Sequence, residues 1–108
     1  MRFQVVMTDG AGRDLASIHE YIAANDSPAK ADLILDALLS VVDSLESMPE
    51  RGSRPRELLA IGRKEYRRVI HGPWHIFYRV IGRTVYIGVI ADGRRDLRTL
   101  LEQRLLGA

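Results

Sequence analysis

The chain has 108 residues, is 46% hydrophobic and 28% charged, and lacks cysteine, which fits one domain over residues 1–108 and excludes a disordered chain, a disulfide framework or a thiolate metal site. No apolar run approaches the roughly 20 residues of a membrane helix, and the polar opening MRFQVVMTDG is unlike a signal peptide, so a cytoplasmic protein is expected. The net charge of +2 conceals 3 basic and 9 acidic side chains in residues 1–50 against 13 basic and 5 acidic ones in residues 51–108.

Residues 2–7 read as a short strand. Thr8 or Asp9 caps a helix marked by Ala11, Leu15, Ile18 and Ile22, an apolar stripe on a 3.6-residue period. Asn25-Asp26 ends it. Ser27-Pro28 opens a second helix, with serine as cap and proline at the first helical position. Its stripe, Ala31, Leu35, Leu38, Val42 and Leu45, extends to Met48, and Pro49 stops it. So short a turn between helices implies an antiparallel helical hairpin. PERGSRPREL, residues 49–58, is broken by two prolines and Gly52 and is expected as an exposed, mobile loop bearing Arg51, Arg54 and Arg56.

Strands are expected at 66–71, 74–81 and 85–91, turned at Gly72-Pro73 and Gly82-Arg83. In the second of these, Trp74, Ile76, Tyr78 and Val80 share one face and His75, Phe77 and Arg79 the other. The first face is the more apolar and should pack on the helices. The second is expected to be an open binding surface. Arg68 should point inward beside Tyr66 and Ile70, with a carboxylate partner on a helix or at Asp96. After the polar turn 91–96, residues 97–106 form a last short helix with Leu97, Leu100, Leu101 and Leu105 as its apolar side. The order is β-α-α-β-β-β-α: an α/β (α+β) fold with the helical hairpin on one face of a mainly antiparallel sheet.

His19 is expected to be solvated, and His71 to lie exposed before its turn. The three histidines lack metal-ligand spacing, and Gly10 and Gly12 do not start a phosphate-binding loop. No metal or cofactor is expected. Arginine supplies 14 of the 16 basic residues, which suits an anionic partner in the second half, nucleic acid or acidic peptide.

An ordered set of motifs spans almost the whole chain. It comprises Ala11, Asp14, Leu15, Ile18, Tyr21 and Ile22; Met48, Pro49 and Gly52; Tyr66-Arg67-Arg68; Ile76 to Val80; and Gly93-Arg94-Arg95-Asp96. With these residues the chain resembles the RelE/ParE superfamily of bacterial toxins, closest to the ParE type. The resemblance implies a type II toxin–antitoxin protein with a ParD-like antitoxin, acidic in its tail, in a hetero-oligomer. ParE-like members poison DNA gyrase, and RelE-like members cut mRNA on the ribosome.

For cutting, only Arg67, His75 and Arg95 could serve, and His75 stands where the RNA cutters place an arginine. Val69 stands where a second basic residue of the strand is used, and Leu101 where a tyrosine is. RNA cleavage through the 2′-hydroxyl needs one group to take a proton and another to give one, with cations on the phosphate. His75 suits proton exchange, but no second group occupies the matching place. The expected function is therefore gyrase poisoning without catalytic residues. The alternatives are a ribosome-dependent mRNA endonuclease and an inactive toxin-like binding module. Partner contacts are expected at Arg67, His75, Phe77, Arg79, Arg94 and Arg95, with gyrase touched by the last helix or the loop at 51–56.

Overall fold

Two helix caps start the fold as the sequence implies. The Thr8 hydroxyl accepts the Ala11 amide at 3.2 Å and donates to the Ile87 carbonyl at 2.7 Å, so this cap also ties the helix to the sheet. The Ser27 hydroxyl accepts the Lys30 amide at 3.0 Å. In the computed structural model, which describes residues 2–107, the order is β1 (Gln4–Met7), α1 (Asp9–Asn25), α2 (Pro28–Ser44), α3 (Arg56–Leu59), β2 (Tyr66–His71), β3 (Trp74–Ile81), β4 (Thr84–Asp92) and α4 (Leu97–Leu105). Met1 and Ala108, the ends of the expected domain, lie outside the described residues.

The four strands lie in the order β1-β4-β3-β2. β1 runs parallel to β4, and the other pairs are antiparallel. Gly72 and Gly82, both at φ 59, take the left-handed conformation that tight hairpin turns require and that side chains resist. β1 stops at Met7, opposite Ile87. Among the described residues no strand thus pairs the last five residues of β4 on that side.

Helices α1 and α2 pack on the face formed by Val69, Ile76, Tyr78, Val85, Ile87 and Ile90, with Ala11, Leu15, Leu38, Val42 and Leu45 in the same core. The register shifts between Phe77, opposite Val89, and Tyr78, opposite Ile87. Gly88 is the extra residue of a β-bulge. The bulge lets Ile87 and Ile90 face one core although strict alternation would part them.

Four expectations need correction. The second sheet face is not open: α3 and α4 cover part of it, and Phe77 is fully buried with Leu58, Tyr66, Val89, Leu97 and Leu101. The leucines of α4 need an apolar surface and find it there. Arg68 does lie beside Tyr66, but on this second face, because the register sets Arg68 opposite Phe77 and Ile70 opposite His75. Its partner is Glu57 of α3, at 3.1 Å, and Ile70 is exposed.

Helix α2 ends at Ser44, short of Met48. The Leu45 and Glu46 amides bond only three residues back, to Val42 and Asp43, and the Phe3 amide takes the Glu46 carbonyl at 2.8 Å. The helix tightens and stops while Leu45 stays buried. Nor is the 49–58 segment loose. Ser53 exchanges backbone bonds with Arg68 at 2.7 and 3.0 Å. The Tyr78 hydroxyl accepts the Gly52 amide at 3.0 Å and donates to the Pro49 carbonyl at 2.7 Å.

Candidate functional site

Strand register decides which of the expected site residues meet. Arg67 stands opposite Tyr78, and His75 opposite Ile70, so their side chains leave opposite faces of the sheet. Arg67 donates to the Gly52 carbonyl at 2.8 Å and the Glu50 carbonyl at 3.3 Å. It is fixed at the outer edge of β2, away from His75.

His75 lies against the turn that leaves β4. A Cβ on Gly93 would fall 2.2 Å from its Nε2. Its ring is 6.2 Å from that of Phe77, and its Nδ1 is buried with no hydrogen-bond partner among the described residues. Burial, and next the Arg68 charge, hold its pKa below the ordinary 6.5. The imidazole is neutral at pH 7, and a side chain at position 93 would collide with its Nε2. Arg95 is exposed in the exit turn, where its amide bonds the Asp92 carbonyl at 3.1 Å. Arg67, His75 and Arg95 are thus not assembled around one point.

The other expected contacts also separate. Phe77 is core. The Arg79 guanidinium lies 5.7 Å from the centre of the Tyr66 ring, a cation–π contact on the second face. Arg94 and Arg95, by contrast, edge a groove of about 1030 Å³. Tyr21, Ile18 and Ile22 of α1 form one wall, Ile34 of α2 adds to it, and Pro73 with Trp74 forms the hairpin end. Ile90 lies where β4 runs beyond β1. Tyr21 is 68% exposed, an aromatic ring held in water without cover. Arg94 chelates Asp92 through its Nε, and its backbone amide bonds the same carboxylate at 2.9 Å. These bonds pull the Asp92 pKa down to about 2.

The free edge of β4 beside the groove is closed by side chains. The Asp14 carboxylate accepts the Ile90 amide at 3.0 Å and the Arg104 guanidinium at 2.9 and 3.1 Å. Arg104 also donates to the Gly88 carbonyl at 3.2 Å. Asp14 belongs to a motif visible in the sequence, but nothing there marks Arg104 as its partner. Trp74 and Tyr21 were equally visible as residues, but not as groove walls.

Among the described residues no group of three or more His, Cys, Asp or Glu is placed to hold a metal ion. His71 is exposed, and His19 bonds Asp32 of the neighbouring helix at 2.7 Å. No helix among them is long and apolar enough to cross a membrane.

A helical hairpin on one face of a four-stranded, mainly antiparallel sheet, closed by a short C-terminal helix, is the fold of the RelE/ParE toxin superfamily. A family described as ParE toxin of type II toxin–antitoxin system, parDE, matches residues 5–97. The chain belongs to this ParE toxin family. It is similar in structure to a protein of the chromosomal ParDE toxin–antitoxin system from P. aeruginosa, with TM-score 0.72 and 22% identity over 84% of this chain and 96% of that one. It is also similar to one from the RelBE2 toxin–antitoxin complex of Mycobacterium tuberculosis, with TM-score 0.62 and 23% identity over 85% of this chain and 99% of that one. No curated protein sequence matches it.

Proposed function

We propose that this toxin arrests growth by poisoning DNA gyrase and is neutralised by a ParD-like antitoxin. The observation that carries the first half is the division of Arg67 and His75 between opposite faces of the sheet. General acid–base cleavage needs its groups within hydrogen-bond reach of one substrate, and these two are not. In the gyrase reading no residue of this chain performs chemistry. It binds the topoisomerase and favours the state in which DNA is cut and enzyme-linked, which requires only differential affinity for that state.

The groove supports the second half. Its apolar walls suit the apolar side of an amphipathic segment, and Arg95, which unlike Arg94 has no carboxylate partner among the described residues, suits an acidic residue flanking it. An antitoxin tail that is disordered alone and folds on binding fits such a seat. The complex is then a toxin–antitoxin hetero-oligomer, tight in its apolar part and salt-sensitive at its rim.

Expression of the chain without antitoxin tests the reading, using the triple variant Arg67→Ala, His75→Ala, Arg95→Ala. Growth arrest that survives in the triple variant supports a non-catalytic poison. Arrest abolished by His75→Ala alone, in protein that still binds antitoxin, moves the function to mRNA cleavage.

A further inference from the structure

The arginines of this chain differ in how they are held. Arg2, Arg68, Arg94, Arg98 and Arg104 each face a carboxylate within 4.0 Å. Nine Arg and Lys side chains face none among the described residues: Arg13, Arg79, Arg83 and Arg95 are scattered, but Arg51, Arg54, Arg56, Lys64 and Arg67 fall in one stretch of chain along the outer edge of β2. Of the acids in this stretch, Glu57 is engaged by Arg68 and Glu65 by Arg63, which leaves Glu50 alone against five cations.

Three of the five guanidinium or ammonium neighbours are nonetheless fixed by neutral oxygens. Arg51 donates to the Ser44 hydroxyl, Arg54 to the Lys64 carbonyl, and Arg67 to the Gly52 and Glu50 carbonyls. A neutral acceptor orients a guanidinium without cancelling its charge, and leaves its other N–H donors for a ligand. The entropy of ordering long side chains is then partly spent before any partner arrives. The segment beneath is itself secured by Tyr78 and by the Ser53–Arg68 bridge. Arg51, Arg54, Arg56 and Lys64 are exposed.

We propose that this edge docks the phosphate backbone of double-stranded DNA. Oriented arginines with uncancelled charge match phosphate oxygens bidentately. A duplex offers phosphates at regular spacing, so several cations engage one ligand together. An acidic peptide with apolar anchors has its better seat in the groove beside β4, which none of these five cations lines. The contact goes beyond gyrase poisoning, because it is made by this chain with DNA itself. It is measured without gyrase, so its failure leaves that reading untouched.

The test is fluorescence anisotropy of the purified chain with a labelled DNA duplex of arbitrary sequence over a salt series. Polyglutamate serves as competitor. Five phosphate contacts predict that affinity falls on the order of 500-fold between about 50 and 200 mM salt. Arg54→Gln with Arg56→Gln should reduce that fall to about 40-fold. Arg13→Gln with Arg83→Gln removes as much charge elsewhere and should leave the slope unchanged. Equal loss in both pairs would reduce the effect to net charge and overturn the proposal. Absence of binding at low salt would also overturn it. Polyglutamate that displaces DNA at equal charge concentration would assign the edge to an acidic protein instead.

Discussion

Asp14 and Arg104, 90 residues apart in sequence, form a two-bond ion pair that seals the overhanging edge of β4. The carboxylate also accepts the Ile90 amide, and Arg104 also donates to the Gly88 carbonyl. Exposed strand edges invite pairing with other chains. Here two side chains occupy that edge and anchor α4 to α1 at the same point. Gly10 leaves the guanidinium its room, since a Cβ there would lie 2.5 Å from Nη2.

Asp14→Ala should therefore cost about 2 kcal/mol, because it leaves the Ile90 amide and a half-buried guanidinium without their acceptor. A double-mutant cycle with Arg104→Met should show coupling of about 1 kcal/mol or more by urea denaturation. Strictly additive losses would mean that the pair does not hold the helix.

Tyr78→Phe removes the hydroxyl that joins Gly52 and Pro49 to the sheet. Two backbone groups lose their partner, and a loss of about 1–3 kcal/mol is expected. Gly52→Ala should be at least as damaging, since its Cβ would meet the Tyr78 oxygen at 2.7 Å and the Arg68 carbonyl at 2.8 Å. Thermal denaturation of both variants checks this, and near wild-type stability in either would contradict it.

Burial and Arg68 lower the His75 pKa in the folded state. The unfolded chain therefore binds a proton at this site more readily. Its contribution to stability is complete above pH 6.5 and is lost as pH falls through the lower folded value. Asp92, held down to about 2 by Arg94, adds an acid-side loss only below the ordinary carboxylate range. In His75→Gln the loss of stability just below pH 6.5 should be smaller. Urea midpoints followed from about pH 7 to pH 5 report it, and an unaltered slope would rule His75 out as its source.

Tyr21→Ala and Trp74→Ala each remove an aromatic wall of the groove. Large aromatic anchors commonly account for about 2 kcal/mol or more of an interface. Antitoxin affinity should fall at least about tenfold in each by calorimetry. Unchanged affinity in both would place the antitoxin elsewhere.

Much of this fold is legible in the sequence because its signals are local. Thr8 and Ser27 announce their helices, and Gly72 and Gly82 their turns, within a few residues. Apart from the early end of α2, the misreadings involve distance. α3 has one turn, too short to show a period, yet it brings Glu57 to Arg68. Alternation along β3 sorted its faces correctly but gave no sign that α4 returns to bury Phe77. The bulge at Gly88 resets the phase of β4 after Ile87. At the site, Arg94 and Arg95 were visible as an exposed turn, while the groove beside them arises from α1, a hairpin tip and an overhanging strand that only the folded chain brings together.

The most direct test of the gyrase claim is a supercoiling assay with purified gyrase, ATP, relaxed plasmid and the toxin freed of antitoxin. The account predicts loss of supercoiling with accumulation of cleaved, protein-linked DNA, reversed by adding antitoxin. Undiminished supercoiling at toxin concentrations well above that of gyrase, from protein that still arrests growth, would contradict it.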